Sequence, residues 1–241
     1  MNTRSRGLGR LIRNVDLKAV LGLLAVFALV AGLWGTFAVT PLKIFVVLLH
    51  EISHGIAAVL TGGSIVKMEI NVRQGGVCYT TGGIRFFVLS AGYLGSMLWG
   101  GLIVVAASRS KRQRWISLGI GGFVLAVTVL YVRSWFGFGF ALLASGLLIV
   151  MGLKLSHDIN QFVLQVIGVT SCLYAVLDIV DDVLQRPGIG SDADMLADLT
   201  FVPSVVWGVI WIAIAVVVPA ACLLVAAQKP AVASTPKPRF R

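Results

Sequence analysis

The feature that most constrains this chain is a series of long apolar runs separated by short connections. A transmembrane helix needs roughly 20 apolar residues. Seven stretches approach that length: 19–38, 41–61, 86–107, 115–132, 135–153, 161–185 and 203–227. Charged residues make up only 12% of the chain, against about a quarter in a soluble domain. The sequence therefore predicts an all-α polytopic protein with six to seven transmembrane helices, a multi-pass protein of the cell membrane.

The positions of the basic residues indicate what the protein contacts. The formal net charge is +10, and the positive residues lie at the ends and in short connections, where anionic headgroups would meet them. We therefore expect the lipid bilayer as a partner and no nucleic acid. The predicted segments are a basic N-terminal segment at 1–18, a transmembrane domain at 19–227 and a basic, Pro-containing tail at 228–241. With seven spans, the 20 Lys and Arg residues fall equally on the two sides, so the positive-inside rule assigns no orientation.

One connection has the pattern of a β-hairpin. Between two Gly-Gly pairs, apolar Val66, Met68, Ile70 and Val72 alternate with polar residues, and a second short run follows Gly76. Alternation of this kind is typical of strands with one apolar face. The segment 64–81 is therefore predicted to form a small membrane-associated β-hairpin between two transmembrane helices.

The second apolar run contains the sequence His50-Glu51-Ile52-Ser53-His54. Positions four apart lie on one face of a helix, so both imidazoles can point at one metal ion. In zinc hydrolases with this spacing, the ion activates a water molecule and the glutamate takes its proton. Ionisable groups inside a membrane are costly and usually functional. The pattern predicts His50 and His54 as Zn²⁺ ligands and Glu51 as the general base; the alternative is a polar cluster satisfied by neighbouring helices.

A catalytic zinc site needs a third protein ligand. His157 lies in a short connection and is expected to be solvated, so an aspartate is required. Asp178 is predicted as this ligand, because it lies inside an apolar run at a depth near that of His54 if the second and sixth spans run parallel. Asp192 is the reserve candidate, although the segment Ser191 to Asp194 also has the pattern of a helix N-cap.

Several of these motifs together resemble the site-2 protease family of intramembrane zinc metalloproteases, over roughly residues 41 to 200. The motifs are His50 to Gly55, the glycine-punctuated hairpin, and Ala91-Gly92-Tyr93-Leu94-Gly95. The resemblance implies that His50 and His54 bind zinc, that Glu51 is the base, and that Leu177-Asp178 corresponds to the family's Leu-Asp-Gly motif. It also implies that the hairpin holds substrate as an added strand. Three positions depart from the longer motif: Thr170, Leu173 and Ile179 stand where Asn, Pro and Gly are expected.

The predicted function is hydrolysis of a peptide bond in a membrane-protein or peptide substrate, catalysed by zinc-activated water and Glu51. Two alternatives share the same metal site. The first is a non-proteolytic metal-binding membrane protein, either a transporter or a regulatory pseudoprotease. The second is a zinc-dependent lipid hydrolase.

Overall fold

The computed structural model describes residues 15–186 and 188–229. Within them, the elements in chain order are α1 (Leu17–Gly32), α2 (Thr40–Leu60), β1 (Ser64–Ile70), β2 (Gly76–Thr81), α3 (Arg85–Arg109), α4 (Gln113–Tyr131), α5 (Trp135–Lys154), α6 (His157–Ile179), α7 (Asp192–Thr200) and α8 (Ser204–Ala226). A 3₁₀ turn (Phe37–Val39) precedes α2, and a π-helical turn (Val180–Gln185) extends α6. The predicted basic segment 1–18 lies outside the described residues up to position 14, as does the predicted tail from position 230.

Six helices of the described chain are long and apolar enough to cross a membrane. They are Phe37–Leu60, Arg85–Arg109, Gln113–Tyr131, Trp135–Lys154, His157–Gln185 and Ser204–Ala226. This confirms the prediction of a polytopic, all-α protein. The first apolar run, at 19–38, differs from the other six: its helix α1 has only 16 residues, fewer than the roughly 20 that a span requires.

Local polar groups explain where several of these helices begin. The side chain of Asp16 accepts a hydrogen bond from the Lys18 backbone N–H (2.9 Å) and caps α1. Ser156 caps α6 in the same way through the N–H of Ile159. Such caps satisfy N–H groups that have no partner within the helix. In α2 a proline occupies the first turn, where its missing N–H carries no penalty.

The segment between α2 and α3 forms the predicted hairpin. β1 and β2 pair antiparallel, with Met68 opposite Cys78 and Ile70 opposite Gly76. The outer edge of β1 is covered by the α4–α5 connection: Arg133 N–H donates to the Met68 carbonyl (2.9 Å), and the Ser134 hydroxyl bonds both backbone groups of Ile70 (2.9 Å each). The hairpin is therefore attached to the helix bundle through β1. The outer edge of β2 lies on the side of the hairpin opposite these contacts.

The centre of the bundle consists of α2, α3 and α6, whose backbones approach closely at small residues. A β-carbon at Gly100 of α3 would lie 2.6 Å from the Gly168 carbonyl oxygen of α6. Nearby, the Ser171 hydroxyl donates to the Ser96 carbonyl (2.7 Å). Small residues at such positions permit backbone contact between membrane helices. These three helices form the rigid support on which the polar residues of α2 are mounted.

Candidate metal centre

The two histidines of α2 lie one helical turn apart, with ring centroids 4.8 Å from each other. His54 Nδ1 is 2.7 Å from the Val88 carbonyl oxygen of α3. A carbonyl can only accept, so Nδ1 carries the proton and donates it. The Nε2 lone pair of His54 is thereby left free for a metal, which is the usual way in which an outer partner orients a ligating histidine.

The carboxylate that meets both imidazoles belongs to Asp192. Its Oδ2 atom is 3.0 Å from His50 Nε2 and 3.1 Å from His54 Nε2. The three ligand atoms all lie within 4.8 Å of one another. His54 and Asp192 are 7% and 9% exposed, so the group is almost withdrawn from solvent. Two imidazole nitrogens and one carboxylate oxygen form a donor set typical of catalytic zinc sites.

Asp192 reaches the histidines because the chain reverses after α6. Gly188 and Gly190 have φ values of +82° and +81°, which favour glycine. Ser191 then caps α7 in a capping box with Asp194. The cap pattern predicted for this segment is therefore present, but Ser191 and Asp194 form it. Asp192, the first residue of α7, is free to point its carboxylate at α2.

Asp178, the predicted third ligand, does not join this group. It lines the same cavity as the histidines, and its carboxylate bonds the Tyr174 side chain one turn away. The sequence favours Asp178 over the reserve candidate Asp192 because Asp178 lies inside an apolar run. The chain reversal after α6 instead brings Asp192 back to the histidines from outside that run. His157 lies exposed at the start of α6, with Nδ1 3.3 Å from Oδ1 of Asp158.

The protonation state of the Asp192 carboxyl depends on the two imidazoles beside it. Burial on its own would raise the pKa of this carboxyl. The adjacent His54 and His50 nevertheless hold the pKa of Asp192 below its ordinary value. The side chain is therefore an ionised carboxylate, the protonation state that a metal ligand requires.

Glu51 lies beside the ligand group and is only 5% exposed. Its carboxylate accepts a hydrogen bond from the backbone of Cys78 on β2. It also fills the space in front of Gly76, where a β-carbon would lie 2.5 Å from Oε1. The hairpin thus positions the predicted general base, and the absence of a side chain at residue 76 makes room for it.

The space in front of the imidazoles is provided by Gly92 of α3. A β-carbon at this position would lie 2.2 Å from His50 Nε2 and 2.5 Å from His54 Nε2. Gly95 lies about one helical turn after Gly92 and leaves space for the Ser53 side chain. A β-carbon at Gly95 would lie 2.2 Å from Ser53 Oγ. The residues present thus fit a zinc ion: the donor set is suitable, and the helix opposite leaves the nitrogens uncovered.

A second polar chain supports the site from the side of α3 and α6. The Tyr93 ring meets the His50 ring edge to face at 5.1 Å, and its hydroxyl donates to Asp182 (2.9 Å). Asp182 in turn accepts from Arg186 (2.8 Å), which also pairs with Asp181. Sequence reasoning missed the roles of Tyr93, Gly92 and Gly76. The motif Ala91 to Gly95 contributed to the family resemblance, but its sequence did not indicate that Gly92 and Tyr93 lie against the site residues themselves.

These residues surround a cavity of about 950 Å³. Its inner wall carries the histidines, Glu51 and Asp192, and β2 forms one side. Three arginines line the cavity at the end where the hairpin lies: Arg73, Arg85 and Arg186.

Fold and site together define a polytopic membrane protein in which three side chains that could hold a metal ion are buried between the helices. The family model of the Peptidase M50B-like proteins matches residues 23–222. The chain therefore belongs to this family, which is the site-2 protease family. No curated protein and no solved structure matches the chain.

Proposed function

We propose that this protein is an intramembrane zinc metalloprotease that hydrolyses a peptide bond of a membrane-protein substrate. The observation that carries the proposal is the convergence of His50, His54 and Asp192 beside a buried glutamate in a chain of this peptidase family. Zinc held by these three side chains would supply Lewis-acid activation of a water molecule and of the scissile carbonyl.

The residues around the ligands have separate tasks in this proposal. Glu51 takes the proton of the attacking water and delivers it to the leaving amine, the usual work of a general base in such sites. The Cys78 backbone and the gap at Gly76 hold its carboxylate against β2. His54 is kept in its metal-binding tautomer by the Val88 carbonyl. Withdrawal of the group from solvent strengthens each of these electrostatic interactions.

The hairpin supports a peptide substrate in particular. One edge of β1 is already bonded to Val132, Arg133 and Ser134. β2 lines the cavity, and Gly76 at its start lies beside the Glu51 carboxylate. Strand addition supplies main-chain hydrogen bonds to any extended peptide, whatever its side chains. A substrate strand on β2 would pass beside the base and the ligand group.

Purified full-length protein in zinc-loaded proteoliposomes tests the proposal. A pool of single-span membrane peptides is added, and new peptide termini are detected by mass spectrometry. We expect wild-type protein to cut some of these peptides and Glu51→Gln to cut none while its zinc content stays the same, since Glu51 moves a proton but does not bind the metal. The matched control is Glu69→Gln, which changes the glutamate paired with Lys67 on β1 and should leave cutting unchanged.

Each rival predicts a different outcome of the same experiment. Zinc crossing the vesicle wall without peptide cleavage would identify a transporter. Release of fatty acids, abolished by Glu51→Gln, would identify a lipid hydrolase. Zinc binding with no hydrolysis of peptide or lipid would identify a pseudoprotease. Any of the three would overturn proteolysis as the function.

A further inference from the structure

The cavity beside the metal centre follows β2 from one end of the strand to the other. Residues 75–80 and the glycines at 82 and 83 all line it. At a rise of about 3.3 Å per residue, the six residues of β2 extend over about 17 Å. Gly76 at the start of the strand lies beside the Glu51 carboxylate. A peptide segment in this cavity can therefore run along the whole strand and still pass the predicted general base.

Two of the arginines that line the cavity lie at opposite ends of β2. Arg73 belongs to the turn before the strand, three positions ahead of Gly76, and Arg85 is the first residue of α3, four positions after the strand ends. The turn is held in place by the Asn71 side chain, which accepts from the backbone N–H groups of Arg73 (2.8 Å) and Gly75 (3.1 Å). Both arginines are exposed, so each can meet a group that enters the cavity.

These two arginines differ from the third one in the cavity wall in having no carboxylate partner among the described residues. Arg186 pairs with both Asp181 and Asp182, whereas no ion pair of residues 15–186 and 188–229 involves Arg73 or Arg85. A guanidinium group stays protonated in proteins and has donors but no acceptor. The two ends of β2 therefore carry positive charge that the described part of the chain does not neutralise.

The inner wall of the same cavity has the opposite character. Glu51, Asp178, Asp182 and Asp192 line it, and Glu51 and Asp192 are almost fully buried. Like charges repel strongly where water is excluded, so this wall does not favour an acidic side chain of a peptide. Clefts with low-dielectric walls also focus the field of the charges that line them. An acidic peptide side chain is therefore favoured at the ends of β2 and disfavoured deeper in the cavity.

We propose that Arg73 and Arg85 select substrates whose cleaved segment has an aspartate or glutamate at each end of the stretch that lies along β2. The proposal rests on the proposed function in one respect, namely that a peptide substrate occupies the cavity. Guanidinium and carboxylate groups form paired, charge-assisted hydrogen bonds. Because Gly76 lies beside Glu51, the acid held by Arg73 lies near the cleaved bond. The acid held by Arg85 lies about the length of β2 further along the peptide.

Peptide binding to the full-length, zinc-loaded Glu51→Gln protein in phosphatidylcholine nanodiscs tests this selection. The probes are fluorescent peptides with one apolar span and an extension as long as β2, which carries aspartate, asparagine or lysine at both of its ends. By fluorescence anisotropy we expect the aspartate peptide to bind about 10-fold or more tightly than the lysine peptide, and the difference to shrink as salt is added. Arg73→Glu/Arg85→Glu should reverse this order. The control Arg112→Glu changes an exposed arginine beyond the far end of α3 and should preserve it.

The single variants assign each arginine to one end of the peptide. Arg73→Glu should lose the preference for aspartate at one end of the extension, and Arg85→Glu should lose it at the other. They also keep the test decisive should the double variant fail to fold, which circular dichroism and zinc content would reveal. Equal binding of the three peptides, a preference unchanged in the charge-reversed variants, or loss at the same end in both single variants would overturn the proposal.

Anionic lipid headgroups would be attracted by the same guanidinium groups, and a second arm of the experiment separates them from peptides. Nanodiscs that contain phosphatidylglycerol are purified with wild-type and doubly substituted protein, and bound lipid is counted by native mass spectrometry. Loss of phosphatidylglycerol from the double variant, together with equal binding of the three peptides, would assign the arginines to lipid and overturn the proposal. Binding requires no hydrolysis. Absence of peptide cutting by the wild-type protein would therefore contradict the proposed function and leave the charge preference intact.

Discussion

The helices around the metal centre and the pair α4–α5 show how little hydropathy says about position in a membrane protein. The apolar windows of α2 and α4 have the same mean hydropathy, 1.6, yet 67% of the first is buried against 22% of the second. In water, apolar residues mark the core, but in lipid both surroundings are apolar. What separates the two regions is the placement of small and polar residues, which α2 and α3 concentrate at their shared face.

The glycines of α3 differ from those of α4 and α5 in what surrounds them. In α3, an added β-carbon at Gly92 or Gly95 would collide with the side chains of α2. In α4 and α5, Gly122 and Gly146 have no atom within 4 Å of an added β-carbon. The same residue type is thus required at one set of positions and merely tolerated at the other.

The largest expected effect comes from exchanging glycine for alanine in each region. Gly92→Ala should reduce bound zinc from about one ion per chain to near zero, because its methyl group would occupy the space at both Nε2 atoms. Gly146→Ala is the control and should keep full zinc content, with stability changed by less than about 1 kcal/mol. Elemental analysis of the two purified proteins measures the result. Normal zinc content in Gly92→Ala would mean that the ion does not bind between α2 and α3.

The two aspartates of the cavity provide the next test. Asp192→Ala should weaken zinc binding by about 100-fold or more, since loss of an outer-shell partner alone costs about 10- to 100-fold. Asp178→Ala should keep the affinity within a few-fold, because its carboxylate bonds Tyr174 instead. Competition with a chelator of known affinity separates the two. Loss of affinity in Asp178→Ala alone would restore the ligand assignment predicted from sequence.

A smaller effect is expected at Tyr93, which touches the site without binding the metal. Tyr93→Phe keeps the ring against His50 but removes the hydroxyl that donates to Asp182. Release of this partner should lower zinc affinity by about 10-fold or less, with the helical content unchanged. Isothermal titration with zinc measures the shift, and circular dichroism checks the fold. Asp182→Asn should behave like Tyr93→Phe if the effect passes through this hydrogen bond.

The sequence predicted those features that depend on neighbours along the chain. The spacing of His50 and His54, the alternation in β1 and the length of the six crossing helices are all local. Asp192 could not be placed this way, because it lies 142 positions from His50 and reaches it through a turn whose direction depends on Gly188 and Gly190. The first apolar run presented the same difficulty: its composition resembles a span, yet its helix α1 has only 16 residues, fewer than the roughly 20 that a span requires.

The distance along the chain between the ligands has a mechanical consequence. A metal ion held by α2 and by the start of α7 would close a loop of well over a hundred residues, as a disulfide does. Cross-links of this kind stabilise a fold chiefly by restricting the conformations of the unfolded chain, and more so for longer loops. Removal of the ion by a chelator would therefore do more than stop the chemistry. It would also remove the link between α2 and the start of α7, so that α7 would be held to the bundle by its apolar packing, in which Ala193 and Leu196 are fully buried.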